Sequence, residues 1–338
     1  MSKSNPTLED VAKASEASPA TISRFLNSPE KVAKSTGQRI AKAIQELGYT
    51  PNFGGRLLAT QKANIVGALV PTLSNSVFAG GIQAFQEELA RNGMTLLIGS
   101  TSYDPDIEFQ QIKVLLSHGA SGLLLIGNAR PKATEEFLKA RGVAMVSAWN
   151  IAEQDERAFV GFDNYKASVD LTKLVLEMGH RDIAIVHAPT IGNDRAEDRL
   201  NAIYNCVEQF GHDARVVGAV EAKYSFEHGA KAFDVVMSRT PKPTVIMAGN
   251  DVLAAGLAMR AKALGMSIPD DISITGFDDI ALAEFMDPPL TTVKVPQTEM
   301  GLHAATQLIA EMNAKGSAKS VELQTLVVRR KSLGPAKA

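Results

Sequence analysis

Polar side chains recur at helical spacing near the N-terminus, in the segment PATISRFLN at residues 19–27. Ile22, Phe25 and Leu26 form an apolar stripe on one side of the predicted helix, and hydroxyl, amide and guanidinium groups occupy the other side. Such groups hydrogen-bond to base edges and phosphates when a helix carries them into the major groove of DNA. A plain helical hairpin with a hydrated face is the alternative interpretation. The polar residues of this face are Thr21, Ser23, Arg24 and Asn27.

Two short helices joined by a tight turn are predicted to position this face. Thr7 and Asp10 have the spacing of a capping box, so the first helix is expected to begin after Thr7. Ser18 is expected to cap the second helix, with Pro19 at its first position, where the missing N–H is not needed. The turn between the helices is predicted at residues 15–17. The pattern therefore predicts a helix-turn-helix.

A third helix and an uneven charge distribution complete the N-terminal region. The helix is predicted over residues 35–47, with Ile40, Ile44 and Leu47 on its buried side and Gly48 ending it. Residues 1–62 contain nine Lys or Arg and five Asp or Glu, a net charge of +4, whereas the remainder contains 26 and 32, a net charge of −6. A basic region on an acidic body suits a polyanion bound at one end only.

Residues 7–27 resemble the headpiece of the lactose-repressor (LacI-type) family of bacterial transcription regulators. The matching residues are Thr7-Leu8, Asp10-Val11-Ala12, Ser18, Thr21-Ile22-Ser23-Arg24 and Leu26-Asn27. The resemblance implies that residues 1–50 bind double-stranded operator DNA. Because one headpiece is too small for tight binding, we expect a homodimer on a near-palindromic site. The implied DNA-contacting residues are Thr7, Ser18, Pro19, Ala20, Thr21, Ser23, Arg24 and Asn27.

The chain departs from the family pattern at two places. Glu16 occupies the turn where the family usually has Gly, and since Glu disfavours positive φ we expect a slightly remodelled turn there. Residues 51–64 form a linker in which Gly54 and Gly55 disfavour a helix by about 1 kcal/mol each relative to Ala. A flexible linker is one interpretation. The resemblance implies instead a hinge helix that orders on the operator, with Leu58 entering the minor groove.

From Ile65 onward the sequence alternates between apolar strand candidates and helical segments. Ten predicted strands between residues 65 and 295 favour two doubly wound parallel lobes, an α/β core spanning residues 65–338. This also resembles the family core, which shares the fold of periplasmic sugar-binding proteins. The first lobe is expected at about 65–161 and 296–320. The second is expected at about 162–292 and 321–330, with residues 321–328 as one crossing strand.

Aromatic, amide, guanidinium and carboxylate side chains follow the predicted strands, where open α/β sheets bind their ligands. This mixture suits a polyhydroxylated ligand, whose apolar face packs on rings while its hydroxyls meet polar groups. The expected effector-binding residues are Asn75, Phe78, Trp149, Asn164, Arg199, Tyr224, Asn250 and Asp278. Alternatively, Arg199 pairs with Asp198 or Glu197 on a helix surface, and Asn250 merely caps a helix.

The resemblance favours an effector role for Arg199 and Asp278, and implies a small sugar or sugar acid as the effector. Arg199 suits a carboxylate, and three segments look nearest to gluconate-type members of the family. These segments are SRFLNSPEKV, LVPTLSNSVFA and VGFDN. The sequence therefore predicts a ligand-responsive transcriptional regulator, and a repressor in particular.

Two other function classes are disfavoured. A sugar-binding protein without DNA activity does not require the basic N-terminal region. An enzyme using Asp278 and Asp279 as an acid–base pair is disfavoured because adjacent residues at a strand end point in opposite directions. The six histidines lack metal-ligand spacing, and neither a GxSxG motif nor a phosphate-binding loop is present. We therefore expect no catalytic residues, no metal and no cofactor.

The cellular compartment is predicted from targeting signals and cysteine content. The N-terminus has no apolar segment typical of a signal peptide, and no stretch of about 18 apolar residues is available to cross a membrane. Cys206 is the only cysteine, so the chain has no internal disulfide, as is typical of a reducing compartment. We expect a cytoplasmic protein without a membrane partner.

Overall fold

The computed structural model describes residues 6–50, 64–151, 157–211 and 213–337, apart from the side chain of Asn27. The chain divides into two compact units, Met1–Ala63 and Asn64–Ala338. The predicted linker, including Leu58, lies outside the described residues. No helix among the described residues is long and apolar enough to cross a membrane.

Three α-helices lie among residues 6–50 of the first unit, and the local capping of the first two confirms the sequence-based prediction. The Oγ1 of Thr7 accepts a hydrogen bond from the Asp10 N–H at 3.3 Å, and the Asp10 carboxylate accepts one from the Thr7 N–H at 2.8 Å. Ser18 accepts from the Thr21 N–H at 3.2 Å, with Pro19 in the first turn. The helices are α1 (Leu8–Ser15), α2 (Pro19–Asn27) and α3 (Lys34–Leu47).

The small core of this unit holds the two helices of the helix-turn-helix together. Val11 of α1, Ile22 of α2 and Ile40 of α3 are fully buried against one another. The prediction that Leu47 lies on the buried side of α3 was wrong, because Leu47 is 37% exposed and Ala43 is buried instead. The predicted end of the helix is confirmed, since Gly48 follows Leu47 at φ 63°, and Tyr49 then packs into the small core.

The turn after α1 is not remodelled, contrary to the expectation for Glu16. Glu16 keeps the left-handed conformation at φ 51° and ψ 39°, and the N–H of Ala17 donates to the Ala12 carbonyl at 3.2 Å. A residue with a Cβ pays about 1–2 kcal/mol for this conformation. The packing of α1 against α2 and α3 therefore holds Glu16 in a backbone conformation that suits glycine.

We expect Glu16→Gly to stabilise the headpiece by about 1 kcal/mol, since relief of backbone strain exceeds the entropy that glycine adds to the unfolded chain. Hydrogen exchange on the full-length protein should then give roughly fivefold greater protection of the α1 amides. Glu16→Gln is the matched control, because it removes the charge and keeps the strain. Equal protection in the two variants would contradict the strain argument.

The second unit is an α/β core with two parallel sheets, as predicted. The first sheet has the strand order β11-β5-β4-β3-β1-β2, and the second has the order β7-β6-β8-β9. β1 is buried along its whole length, as expected for a central strand with both faces covered. The strands are β1 (Ile65–Val70), β2 (Thr95–Ser100), β3 (Gly122–Ile126), β4 (Ala144–Ala148), β5 (Phe159–Gly161), β6 (Asp182–His187), β7 (Arg215–Glu221), β8 (Val245–Ala248), β9 (Ser273–Thr275), β10 (Thr292–Lys294), β11 (Val321–Glu322) and β12 (Leu326–Val328).

Helices follow the strands and cover the sheets, which places the strand-to-helix loops at the carboxyl edges. Several begin with a polar cap at that edge, including Asn75, Asp163 and Asn250. The helices are α4 (Ser76–Arg91), α5 (Pro105–Ser117), α6 (Lys132–Arg141), α7 (Asn164–Glu177), α8 (Asp194–Phe210), α9 (Phe226–Met237), α10 (Asp251–Ala263), α11 (Ala281–Phe285) and α12 (Gln297–Asn313).

The prediction of one second-lobe strand at residues 321–328 was wrong. β11 joins the first sheet, with Val321 beside Val160, whereas β12 pairs antiparallel with β10 in a separate two-stranded sheet. Val321 and Glu322 therefore belong to the first sheet rather than to the second lobe. The segment splits because the chain passes from one sheet to the other within these residues, so each half pairs with a different edge.

Candidate functional site

A cavity lies between the carboxyl edges of the two parallel sheets. It is lined by side chains from both lobes. Seven of the eight expected effector residues lie on its wall. The lining residues are Asn75, Val77, Phe78, Tyr103, Trp149, Phe162, Asn164, Asn193, Arg195, Arg199, Tyr224 and Asp278.

Asn250 is the expected effector residue that does not line this cavity. Its Oδ1 accepts a hydrogen bond from the Leu253 N–H at 2.9 Å, and the residue is 1% exposed. The side chain faces the first turn of α10 because an N-cap must reach the unpaired N–H groups there. The structure therefore places Asn250 as a helix cap, and its Nδ2 is buried without a hydrogen-bond partner among the described residues. Its role as an effector residue stays a prediction.

Arg199 directs its guanidinium into the cavity from α8. It donates to the Tyr224 hydroxyl at 3.0 Å and lies 4.5 Å from the centre of the Phe277 ring. Its Nη1 is 4.0 Å from Oδ1 of Asp278. A surface pair with Asp198 or Glu197 is thus not the arrangement found. Arg199 is positioned to meet a polar ligand, with an aromatic ring supporting the back of its guanidinium.

Asp278 and Asp279 point in different directions, as the sequence predicted. Asp278 faces the cavity, whereas Asp279 pairs with Arg330 at 2.7 Å. Burial raises the pKa of Asp278 to about 7, against the opposing effect of Arg199 and Arg195. The two carboxyl groups do not converge on one point, so they do not form an acid–base pair.

An aromatic wall closes one side of the cavity. The rings of Phe78 and Trp149 lie 5.5 Å apart at 60°, and Asn164 donates to the Trp149 carbonyl at 3.0 Å. A Cβ on Gly81 of α4 would lie 2.5 Å from the indole ring, so only glycine permits this position of Trp149. The indole Nε1 and the Asn164 Oδ1 are buried without hydrogen-bond partners among the described residues. Both atoms are available to the hydroxyl groups of a ligand.

Strained backbone conformations cluster around the cavity. Among the described residues of the core, those other than glycine with positive φ lie in three loops at the carboxyl edges, and three of them contribute side chains to the cavity wall. Such conformations cost about 1–3 kcal/mol each and concentrate at binding sites. The residues are Ser102, Tyr103, Trp149, Asp278 and Asp279.

The N-terminal unit presents most of the expected DNA-contacting residues on its surface. Thr7, Ser18, Pro19, Ala20 and Arg24 are exposed, although the hydroxyls of Thr7 and Ser18 serve as helix caps. The two others with described side chains, Thr21 and Ser23, are half-buried. The side chain of Asn27 is outside the described residues. The DNA contacts of this set remain predictions.

Comparison with known proteins identifies both parts of the chain. The profile described as "Bacterial regulatory proteins, lacI family" matches residues 7–52, and "Periplasmic binding protein-like domain" matches residues 172–333. The HTH-type transcriptional regulator GntR of Escherichia coli (strain K12) is 30% identical over 318 residues, which cover 93% of this chain and 94% of GntR. This chain belongs to the lacI family. It is a DNA-binding regulator of transcription and not an enzyme, as its sequence predicted.

Other relatives of this lacI-family protein match along its whole length. The HTH-type transcriptional repressor CytR of Escherichia coli (strain K12) is 30% identical over 328 residues, covering 96% of this chain and 95% of CytR. A solved lacI-family regulator from Silicibacter pomeroyi has a TM-score of 0.89 at 25% identity and covers 97% of this chain and 99% of its own. The lac repressor dimer bound to operator shares the fold, with a TM-score of 0.83 at 21% identity, over 98% of this chain and 100% of that one.

Sequence analysis of this lacI-family chain missed three polar residues of the cavity wall. Tyr103 packs against Tyr224 with ring centres 5.8 Å apart and the rings tilted at 50°, which joins a loop of the first lobe to one of the second. Burial raises the pKa of Tyr103. The sequence signal for Tyr103 is weak, because this residue lies three residues beyond the end of β2. Asn193 precedes α8 and is 2% exposed. Arg195 lies one helical turn before Arg199, and that spacing alone indicates that the two share a helix face.

Proposed function

We propose that this protein is a transcriptional repressor that binds a near-palindromic operator as a homodimer and responds to a small sugar or sugar acid. The observation that carries the proposal is the pairing of two features in one chain. The first is a capped helix-turn-helix with an exposed Arg24, and the second is an enclosed cavity lined by amides, rings and charged groups. The name of CytR, a repressor at 30% identity, supports repression rather than activation.

The proposed division of labour follows the two compact units. Residues 1–50 bind DNA, residues 51–64 act as the hinge, and residues 65–338 bind the effector and form the dimer. A single three-helix module buries too little surface for tight binding, and a two-fold dimer matches the symmetry of a palindromic site. Because the operator is chromosomal DNA in bacteria, we place the protein in the cytoplasm.

Arg24 is expected to carry most of the direct base recognition. Pro19 and Ala20 at the start of α2 lack side-chain hydrogen-bonding groups, so the exposed guanidinium of Arg24 is the strongest donor on the exposed face of this helix. We expect Arg24→Ala to weaken operator binding by about 1–3 kcal/mol and to relax discrimination at one base pair in each half-site. The measurement is a mobility-shift titration on fragments that the wild-type protein selects from a random-sequence pool.

Lys42→Ala is the control for charge, because Lys42 is an exposed headpiece residue outside α2. Any loss of DNA affinity in Lys42→Ala should be the same for selected and random fragments. A uniform loss for Arg24→Ala as well would make Arg24 a phosphate contact. Failure of the wild-type protein to enrich any sequence would refute the repressor and leave a sugar-binding protein without DNA activity.

A further inference from the structure

The cavity wall contains two guanidinium groups on one face of α8. Arg195 and Arg199 lie one helical turn apart, where side chains project about 5–6 Å from each other. Both line the cavity; Arg195 is 6% exposed, and the side chain of Arg199 is 12% exposed. Burying a guanidinium is unfavourable unless an anion or several acceptors compensate it. The acceptors of each arginine therefore indicate what else the cavity can hold.

Arg195 is anchored but retains free donor capacity. Its Nη1 donates to Asp194 Oδ1 at 2.8 Å, which involves one nitrogen of a group with five N–H donors. Although burial opposes ionisation of Asp194, Arg195 and hydrogen bonds to Asn150 and Asn128 hold its pKa below the ordinary value. A Cβ on Gly127 would overlap Nη1 of Arg195, so the guanidinium is seated directly against the backbone of the first lobe.

Arg199 is compensated only in part. Its nearest carboxyl group, Asp278, is 4.0 Å away, and burial raises the pKa of that group to about 7, so it is ionised only in part at neutral pH. Its Nε is buried without a hydrogen-bond partner among the described residues. Of the residues that line the cavity, two are arginines and one is a carboxylic acid. Asp194 compensates Arg195, whereas Asp278 is the only carboxyl group among the described residues that lies within 4.0 Å of Arg199. The charge that is compensated only in part on this side of the cavity is thus that of Arg199.

We propose that the effector carries a carboxylate, which is held by Arg195 together with Arg199. This deepens the proposed function and rests on it, since it concerns the effector of that same cavity. Guanidinium groups bind carboxylates through paired N–H donors, and such charge-assisted hydrogen bonds are stronger than neutral ones. The rest of the ligand is a hydroxylated chain or ring, which fits the amides of Asn75 and Asn164 and the rings of Phe78 and Trp149.

Arg195 also lies next to the hydrogen bonds that connect the two lobes. Asp194, next to Arg195 on α8, accepts from the Asn128 N–H at 2.6 Å and from Asn150 Nδ2 at 3.0 Å. Asn128 and Asn150 follow strands of the first lobe, whereas α8 belongs to the second. A carboxylate bound at Arg195 therefore lies beside the hydrogen bonds that join the lobes.

The test is calorimetry with matched acids and neutral sugars. The probes are gluconate, galactonate, glucuronate and galacturonate, each compared with glucose or galactose. We expect at least one acid to bind tenfold or more tightly than its neutral counterpart. Arg195→Gln should lower the affinity for that acid by tenfold or more and leave the affinity for the neutral sugar unchanged. Arg195→Lys keeps the charge and loses the paired donors, so its loss should be intermediate.

The control is Arg260→Gln, which removes a positive charge from the exposed surface of the second lobe. It should leave the affinity for every probe unchanged. The proposal is overturned if no acid binds, if the neutral sugar binds as tightly as its acid, or if Arg195→Gln binds the acid like the wild type. Each of these results is independent of operator selection, so the repressor function can stand or fail separately.

Discussion

Replacing Arg199 by alanine is expected to abolish the effector response, with a loss of at least about 30-fold in effector affinity. Arg199 contacts the Tyr224 hydroxyl, the Asp278 carboxyl group and the Phe277 ring. Its removal leaves the Asp278 carboxyl group buried without its nearest cation. Truncating one partner of a buried, hydrogen-bonded charge pair typically weakens binding by about 2–5 kcal/mol. The measurement is calorimetry with the ligand that binds the wild-type protein most tightly.

The same variant should bind operator without ligand as the wild type does, because Arg199 lies in the core and the DNA-contacting residues are predicted in the N-terminal unit. Arg215→Ala is the matched control, since the Arg215 side chain is 63% exposed and pairs with Asp182 at 2.7 Å. Exposed pairs contribute about 0–1 kcal/mol, so this control should bind the effector normally. An unchanged affinity in Arg199→Ala would place the effector site elsewhere.

Asp278 is expected to make the stability of the ligand-free core depend on pH. Its pKa is raised by burial from 3.8 to about 7, so ionisation is less favourable in the folded than in the unfolded chain. The contribution of Asp278 to the free energy of unfolding is fully present below the pKa of the unfolded chain. It is lost as the pH rises to and through the pKa of the folded chain. Linkage then predicts that the wild type loses about 2 kcal/mol from this group between pH 5.5 and pH 8.

Asp278→Asn should remove this pH-dependent loss, as measured by urea unfolding of the core at the two pH values. Other titratable groups around Asp278 stay in the variant: Arg199 and Arg195 on α8, Tyr103 in the first lobe, and Asp251 on α10. Burial raises the pKa of Asp251 as well, followed by repulsion from Asp278, so some pH dependence remains in the variant. Identical pH dependence in both proteins would show that Asp278 ionises well below pH 7.

Local sequence signals were sufficient to predict most helices and strands, because helix caps and hydrophobic periodicity act over a few residues. The capping box of Thr7 and the N-cap of Ser18 follow from side-chain chemistry within three residues. Glu16 was different, since the packing of three helices overrides the local preference and holds φ at 51°. The division at 321–328 was also beyond local reasoning, because the same residues pair with two sheets that the sequence pattern does not distinguish.

The candidate site was predicted in outline but not in detail. The rule that ligands bind beyond strand ends placed Arg199 and Asp278 on one cavity wall, because it follows from topology. Whether a polar residue at a strand end caps a helix or faces a ligand depends on its orientation, and Asn250 does the former. Arg195 could not be assigned from local pattern alone, because helical spacing places it on the same face as Arg199 but does not show that this face of α8 meets the cavity.

Trp149 has a practical consequence, because it is the only tryptophan of the chain. Its indole ring lies in the cavity wall at 3% exposure, and its Nε1 has no hydrogen-bond partner among the described residues. The fluorescence emission of a buried indole changes when a polar ligand contacts the ring or accepts a hydrogen bond from its N–H. The protein thus contains an intrinsic fluorophore at its candidate effector site, and ligand occupancy becomes an optical signal that needs no label.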